Sequence, residues 1–188
     1  MKVLLLNGSR RETGCTYTAL CEVATALNEE GIDTEVIHAI DSTKEGIDDL
    51  AMKVKESDGF VVGSPVYYAS PSGEIISVMD RLSRQSNIDM KYKPAAVVAS
   101  ARRAGTTATL DVLLKYFTIN QMPIVSSDYW TMVHGNTPEE VKQDIEGMQV
   151  MNHLGKNMAW LLKCIEAGKQ SGINVPKNDA KVNTNFIR

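Results

Sequence analysis

Short apolar runs alternate with amphipathic segments along most of the chain. Apolar runs lie within residues 3–6, 58–63, 95–99 and 122–125. A partly alternating run covers residues 34–38. Runs of this length are typical of strands in an open sheet, and the uninterrupted ones are typical of strands buried on both faces of a parallel sheet. Between the runs, apolar residues recur at helical spacing. The pattern predicts an α/β protein with five strands and intervening helices.

The alternation continues without a linker, an internal repeat or a low-complexity stretch, so the sequence shows no domain boundary before its polar C-terminal end. A capping box that starts at Thr137 predicts a long last helix, and Gly168 is expected to end it. We therefore expect one domain over residues 1–168 and a polar tail over residues 169–188. A chain of 188 residues that is 43% hydrophobic can bury a sizeable core.

The loop after the first strand has the features of a phosphate site. Gly8 allows a sharp turn, and Gly14 allows close approach of the backbone just before a helix. The first turn of a helix leaves N–H groups unpaired at the positive end of its dipole. The segment adds hydroxyl groups and positive charges at Ser9, Arg10, Arg11, Thr13 and Thr16. These residues predict a phosphate cradle, and the alternative is an ordinary turn with solvated arginines.

The spacing of the glycines excludes two common nucleotide loops. A nucleotide-triphosphatase loop requires G-x-x-x-x-G-K-[ST], and here Gly14 is followed by Cys15 and Thr16 without a lysine. A dinucleotide loop requires G-x-G-x-x-G, which is absent. The loop suits a single terminal phosphate instead, as in FMN.

A second loop follows residues 58–63 and carries two adjacent tyrosines. Pro65 stiffens the turn before Tyr67 and Tyr68, and Ser70 with Pro71 predicts the start of the next helix. The tyrosines either border a flat aromatic ligand or divide between the core and the surface. We favour the ligand because of the position of this loop relative to the phosphate loop.

A third loop, residues 100–107, follows the next strand and combines Arg102 and Arg103 with Gly105 ahead of a helix. Taken alone, a solvated arginine pair explains it equally well. However, the carboxyl ends of parallel strands meet at one edge of the sheet, where an open α/β sheet binds its ligand. We therefore expect the three loops to form one site.

Composition and charge narrow the possible partners. The net charge of −3 argues against nucleic acid or an anionic membrane as a partner. No apolar run reaches 18 residues, and the four apolar residues after Lys2 are too few for a signal peptide. Three widely spread cysteines have neither zinc nor iron–sulfur spacing, so we expect a cytoplasmic protein without a metal site. We assign no ligand role to His38, His134 or His153.

The last predicted helix carries a methionine-rich stripe from Met148 to Met158. Methionines in such a position are typical of core or interface packing. The stripe is more apolar than a lone surface helix requires. We therefore expect a homodimer, or a homotetramer built as a dimer of dimers.

Five parallel strands with intervening helices predict a flavodoxin-like three-layer sandwich with the sheet order 2-1-3-4-5. The first two loops flank the switch point between strands 1 and 3. At this point the chain resembles the NADPH-dependent FMN reductase family, near its branch of iron–sulfur flavoproteins. The motifs are Gly8-Ser9-x-Arg11-x-x-Gly14-x-Thr16, Gly63-Ser64-Pro65-Val66-Tyr67-Tyr68 and Arg103-x-Gly105. The resemblance covers most of residues 1–168.

The resemblance implies a role for each of the three loops. The FMN phosphate would be held by the first loop, through Ser9, Arg11, Gly14, Cys15 and Thr16. The isoalloxazine would lie along Pro65, Val66, Tyr67 and Tyr68. Its pyrimidine edge would be approached by Ala101, Arg102, Arg103 and Gly105. Two features depart from the family: the chain lacks the compact cysteine cluster of the iron–sulfur branch, and Cys15 stands where asparagine or serine is common.

The activity implied by the resemblance is that of an FMN-dependent oxidoreductase with NADPH or NADH as co-substrate. The expected acceptor is a small molecule, namely a free flavin, a quinone, an azo compound or a metal ion. No catalytic acid or nucleophile is required, because the flavin carries the hydride chemistry and the protein supplies position and charge. The alternatives are a flavodoxin-type electron-transfer protein without substrate turnover and a non-enzymatic flavin sensor.

Overall fold

The computed structural model describes residues 1–85, 88–180, 182–184 and 186. Their strands are β1 (Lys2–Asn7), β2 (Asp33–His38), β3 (Gly59–Tyr67), β4 (Ser70–Pro71), β5 (Ala95–Ala101) and β6 (Met132–His134). Their helices are α1 (Cys15–Glu29), α2 (Lys44–Glu56), α3 (Gly73–Leu82), α4 (Thr106–Ile119), α5 (Pro138–Gln143) and α6 (Ile145–Gln170). Within the described ranges, no helix combines the length and the hydrophobicity needed to cross a bilayer.

Five of the strands form a parallel sheet in the order β2-β1-β3-β5-β6. Counted over the parallel strands alone, this is the predicted order 2-1-3-4-5. The short β4 pairs antiparallel with the end of β3 and forms a hairpin beside the sheet. The order reverses between β1 and β3, so the crevice expected for a ligand lies at their carboxyl ends.

Alternate residues of the central strands point to opposite faces of the sheet, as the strand period requires. Leu4 and Phe60 pack in a core that includes side chains of α2, α3 and α4. Leu5 and Val61 pack in a second core with side chains of α1 and α6. All four are fully buried. The predicted α/β sandwich of three layers is therefore confirmed.

The last strand does not lie at residues 122–125 as predicted. Ile124 makes only an isolated bridge to Ala95. The chain then leaves the edge of the sheet and returns at Met132, which pairs with Ala99. Three residues of β6 complete the parallel sheet, and their carboxyl end leads into Gly135.

One predicted helix start was wrong, and the long last helix, which does begin after Thr137 as predicted, is divided in two. Ser70 and Pro71 pair with the end of β3, and Ser72 caps α3 instead, since its Oγ accepts the N–H of Ile75 at 3.2 Å. The helix that begins after Thr137 is interrupted at Asp144, where the carboxylate caps α6 through the N–H of Gly147 at 3.0 Å.

The end of α6 also differs from the prediction. The helix continues past Gly168 to Gln170, and Gly172 has a φ of +82°. The N–H of Ile173 bonds to the carbonyl of Gly168 at 2.9 Å, which is the pattern of a Schellman cap. The division into a domain of residues 1–168 and a tail of residues 169–188 stays a prediction.

The methionine stripe of α6 lies in the core rather than on the surface. Met151 and Met158 are fully buried, and Met148 packs partly buried against the same core. The helix lies close to α1, since a Cβ at Gly155 would come within 2.7 Å of the Cβ of Ala26. The stripe therefore gives no support for a homodimer or homotetramer, and the oligomeric state stays a prediction.

Candidate functional site

The carboxyl ends of β1, β3, β5 and β6 surround a cavity of about 210 Å³. Residues from all three predicted loops line it: Ser9, Arg11, Cys15, Thr16, Pro65, Val66, Tyr67, Ala101 and Arg102. The structure therefore brings the three loops together at the switch point of the sheet.

Four predicted site residues do not line this cavity. Gly14 and Gly105 cap the N-termini of α1 and α4. Tyr68 is fully exposed at the tip of the β3–β4 hairpin, and Arg103 is exposed beside Arg102. Whether any predicted residue contacts a flavin stays a prediction.

The N-terminus of α1 opens into the cavity. Its cap residue, Gly14, offers no side chain that could bond to the first turn. Within the described part of the chain, the N–H groups of Cys15 and Thr16 have no hydrogen-bond partner. A helix of 15 residues presents about half a positive charge at such an end. This end can therefore bind an anion through free N–H groups.

The two arginines of the phosphate loop have different surroundings. Arg10 pairs with Glu74, with 2.5 Å between Nε and Oε1, and its guanidinium lies 5.8 Å from the ring centroid of Tyr67. Arg11 lines the cavity, and no carboxylate of the described residues forms an ion pair with it. Arg11 is therefore the cation of this loop that is available to a ligand.

Cys15 offers the cavity its backbone N–H and the bulk of its side chain. It does not offer a thiolate. Burial raises the pKa of its thiol above the ordinary value, and the nearby positive charge of Arg11 only partly opposes this. The Sγ atom lies 3.7 Å from the carbonyl oxygen of Gly135. At neutral pH the side chain is thus a thiol, which is a weak donor.

Three lining residues were not among the predicted site residues: Ser100, which lies in the predicted third loop, and Gly135 and Asn136, which lie outside all three loops. The Ser100 Oγ lies 2.8 Å from the Oγ1 of Thr16, so it joins the end of β5 to the start of α1. Gly135 and Asn136 follow β6, and they were missed because that strand was predicted ten residues too early. A correct β6 would have identified this fourth loop by the same carboxyl-end argument.

The second and third loops pack tightly against each other. Tyr68 and Ala69 form a two-residue turn with φ values of 50° and 58°, which are unfavourable for residues other than glycine. Gly105 has a φ of +101°, and a Cβ there would lie 2.7 Å from the Cα of Ala69. The strained hairpin and the arginine-bearing loop therefore hold each other in place.

Among the described residues, no cluster of three or more His, Cys, Asp or Glu side chains is positioned to hold a metal ion. Cys15 and Cys21 both lie on α1, and Cys164 is exposed on α6. The expectation of a protein without a metal stays a prediction.

Comparison with known proteins gives consistent results. A family model described as NADPH-dependent FMN reductase matches residues 1–137. An iron–sulfur flavoprotein of Methanocaldococcus jannaschii is 31% identical, covering 88% of this chain and all of that protein. An FMN-dependent NADPH-azoreductase of Staphylococcus saprophyticus is 30% identical, covering 54% of this chain and 61% of the relative. A crystal structure of a flavodoxin, WrbA-like protein from Agrobacterium tumefaciens has a TM-score of 0.66 at 15% identity, covering 87% of this chain and 97% of that one.

Proposed function

The chain belongs to the NADPH-dependent FMN reductase family, and on this premise we propose that it passes hydride from NAD(P)H, through FMN held in the cavity, to a small-molecule acceptor. The family match confirms the resemblance deduced from the loop motifs. It also makes the protein an NAD(P)H-dependent flavin oxidoreductase. The position of the flavin and the identity of the acceptor are the parts that we propose.

The observation that carries this proposal is the open N-terminus of α1 beside Arg11. The cavity is lined by the start of α1, where the N–H groups of Cys15 and Thr16 and the helix dipole are available, and by the Arg11 guanidinium, which has no carboxylate partner among the described residues. Ser9 and Thr16 add hydroxyl groups there. This donor set fits one phosphate monoester, which is the polar end of FMN.

The rest of the cavity fits the remainder of the cofactor. Pro65, Val66 and Tyr67 provide an apolar and aromatic lining, and Ala101 and Arg102 add a methyl group and a guanidinium to it. FMN, when bound, supplies hydride acceptance and donation at its ring system. The guanidinium of Arg102 favours the negative charge that the ring gains on reduction.

We propose that the acceptor is a free flavin, a quinone, an azo compound or a metal ion. An azo compound has specific support, since one relative is named as an azoreductase. No residue of the cavity is proposed as a catalytic acid or nucleophile, because binding and charge are the only tasks left to the protein.

The test is to purify the protein and measure its flavin content and its turnover. We expect a yellow protein with about one FMN per chain, which oxidises NADPH or NADH when an acceptor from a panel is supplied. A colourless protein that takes up no added FMN would contradict the proposal. Bound FMN without turnover would favour the flavodoxin-type electron-transfer protein or the flavin sensor instead.

A further inference from the structure

Three carbonyl groups of the phosphate loop, residues 8–14, are held by two side chains outside the cavity. The carbonyl oxygen of Ser9 lies 2.6 Å from Nε2 of His38. The Nδ2 of Asn7 donates to the carbonyl of Glu12 at 2.8 Å and lies 3.4 Å from that of Arg11. A carbonyl oxygen can only accept a hydrogen bond, so Nε2 of His38 carries its proton.

Asn7 uses both ends of its amide on this loop. Its Oδ1 accepts the N–H of Ser9 at 3.1 Å, while its Nδ2 makes the two contacts described above. Asn7 is 1% exposed, so each of these groups would be costly to leave unpaired. Asn7 and His38 are also register partners across the β1–β2 ladder, so they approach the loop from neighbouring strand ends.

These contacts determine which backbone groups face the cavity. Neither Asn7 nor His38 lines it, so the carbonyls of Ser9, Arg11 and Glu12 are bonded to groups outside it. A carbonyl turned toward a phosphate would repel it, whereas the N–H groups of Cys15 and Thr16 remain free to bind. The loop is thus arranged for an anion before the ligand arrives, which reduces the free-energy cost of binding.

We propose that Asn7 and His38 are positioning residues that set the preference of the cavity for a flavin phosphate over an unphosphorylated flavin. The inference rests on the proposed function, since it assumes that the loop binds the phosphate of FMN. Neither residue touches the ligand, and each acts through the backbone of the loop. A merely structural role would weaken the binding of FMN and riboflavin alike.

The test measures the dissociation constants of FMN and riboflavin for the apoprotein by quenching of flavin fluorescence. We expect His38→Leu and Asn7→Ala to weaken FMN about ten-fold and riboflavin by less than about two-fold. His38→Gln keeps an amide donor and should retain most of the preference for FMN. His153→Leu is the matched control, because His153 pairs with Asp128 outside the cavity and should change neither constant.

The outcomes separate this inference from the proposed function. If the unmodified protein binds no flavin, or binds both equally, the proposed function fails. If it prefers FMN and the variants keep that preference, or lose both ligands equally, the positioning role alone is overturned. Should Asn7→Ala not fold, Asn7→Asp replaces it, since that variant keeps the shape, loses the donor and adds a negative charge. An unchanged preference in Asn7→Asp would overturn the role of Asn7.

Discussion

The phosphate loop and the arginine loop, residues 102–104, both contribute to the same cavity and are built differently. In the phosphate loop, Asn7, His38 and Ser72 hold backbone groups, and the Ser72 Oγ donates to the carbonyl of Gly8 at 2.6 Å. In the arginine loop, all three residues are exposed, and within the described ranges none of them forms a hydrogen bond or an ion pair. One loop is fixed by hydrogen bonds, and the other is placed by the close packing around Gly105.

We propose that this difference divides the work between the two loops. The fixed loop would anchor the phosphate, where binding affinity depends on preformed donors. The exposed arginine loop would leave room for a nicotinamide and an acceptor, and the charge of Arg102 would act on the ring without a fixed contact. The first three predictions below each change one loop and leave the other intact, and the fourth compares the reactivity of Cys15 with that of Cys164 outside the cavity.

The largest expected effect is on stability, at the packing contact of the arginine loop. Gly105→Ala places an alanine in a left-handed backbone conformation. Its Cβ would lie 2.7 Å from both the Cα of Ala69 and the Cγ1 of Val66. We expect the free energy of unfolding to fall by about 2–4 kcal/mol in a urea titration. Gly73→Ala is the control, because a Cβ there meets no atom within 4 Å, and it should cost less than about 0.5 kcal/mol. Equal losses of unfolding free energy in the Gly105 and Gly73 variants would show that packing at Gly105 does not hold this loop in position.

The second largest effect is expected on the affinity for FMN, when Arg11 is replaced. Arg11→Ala should weaken FMN binding by about 1.5–3 kcal/mol, because it removes a charge-assisted hydrogen bond to the phosphate. Riboflavin should bind equally to the variant and the parent. Arg10→Ala serves as the control, since Arg10 pairs with Glu74 and does not line the cavity. Equal FMN affinity in the Arg11 variant and the parent would place this guanidinium in solvent.

The arginine loop should affect the redox potential more than the affinity. Arg102 lines the cavity and Arg103 does not, so Arg102→Ala should lower the two-electron midpoint potential of the bound flavin. About 1.4 kcal/mol corresponds to roughly 30 mV for two electrons, so we expect a shift of tens of millivolts. Arg103→Ala should leave the potential unchanged. A raised KM for NADPH in either variant, with an unchanged potential, would instead indicate nucleotide binding.

The smallest effect concerns the reactivity of two cysteines. Burial raises the pKa of Cys15, so near neutral pH it has less of the reactive thiolate than an unperturbed thiol. Cys164 is exposed on α6 and should be alkylated first by iodoacetamide, as mass spectrometry of peptides would show. Bound FMN should slow the reaction of Cys15 further and leave that of Cys164 unchanged. Earlier alkylation of Cys15 would contradict its assignment as a half-buried thiol with a raised pKa.

The sequence predicted the central sheet well because its strands are buried on both faces. The apolar runs in β1, β3 and β5 have no other plausible position than the centre of a parallel sheet. The edge was harder to predict. The run at residues 122–125 is apolar enough for a strand, but the chain leaves the sheet after it, and the less apolar β6 pairs with β5 instead. Edge pairing of this kind is decided by tertiary contacts.

The candidate site was predicted to the extent that it depends on loop composition. Glycines, hydroxyls and arginines identified the phosphate loop, and the carboxyl-end rule joined it to two others. The same rule did not identify Gly135 and Asn136, because the last strand was predicted at residues 122–125 instead of at β6. Asn7 and His38 were not assigned a role because they act through hydrogen bonds to backbone carbonyls, which have no signature in the sequence.

The central claim is that the phosphate loop binds the phosphate of a flavin, and a titration of the unmodified apoprotein with FMN and with riboflavin tests it most directly. The two ligands differ only in the phosphate group. The free N–H groups of α1 and the guanidinium of Arg11 predict that FMN binds at least about ten-fold more tightly than riboflavin. Equal affinities for the two flavins would contradict the claim.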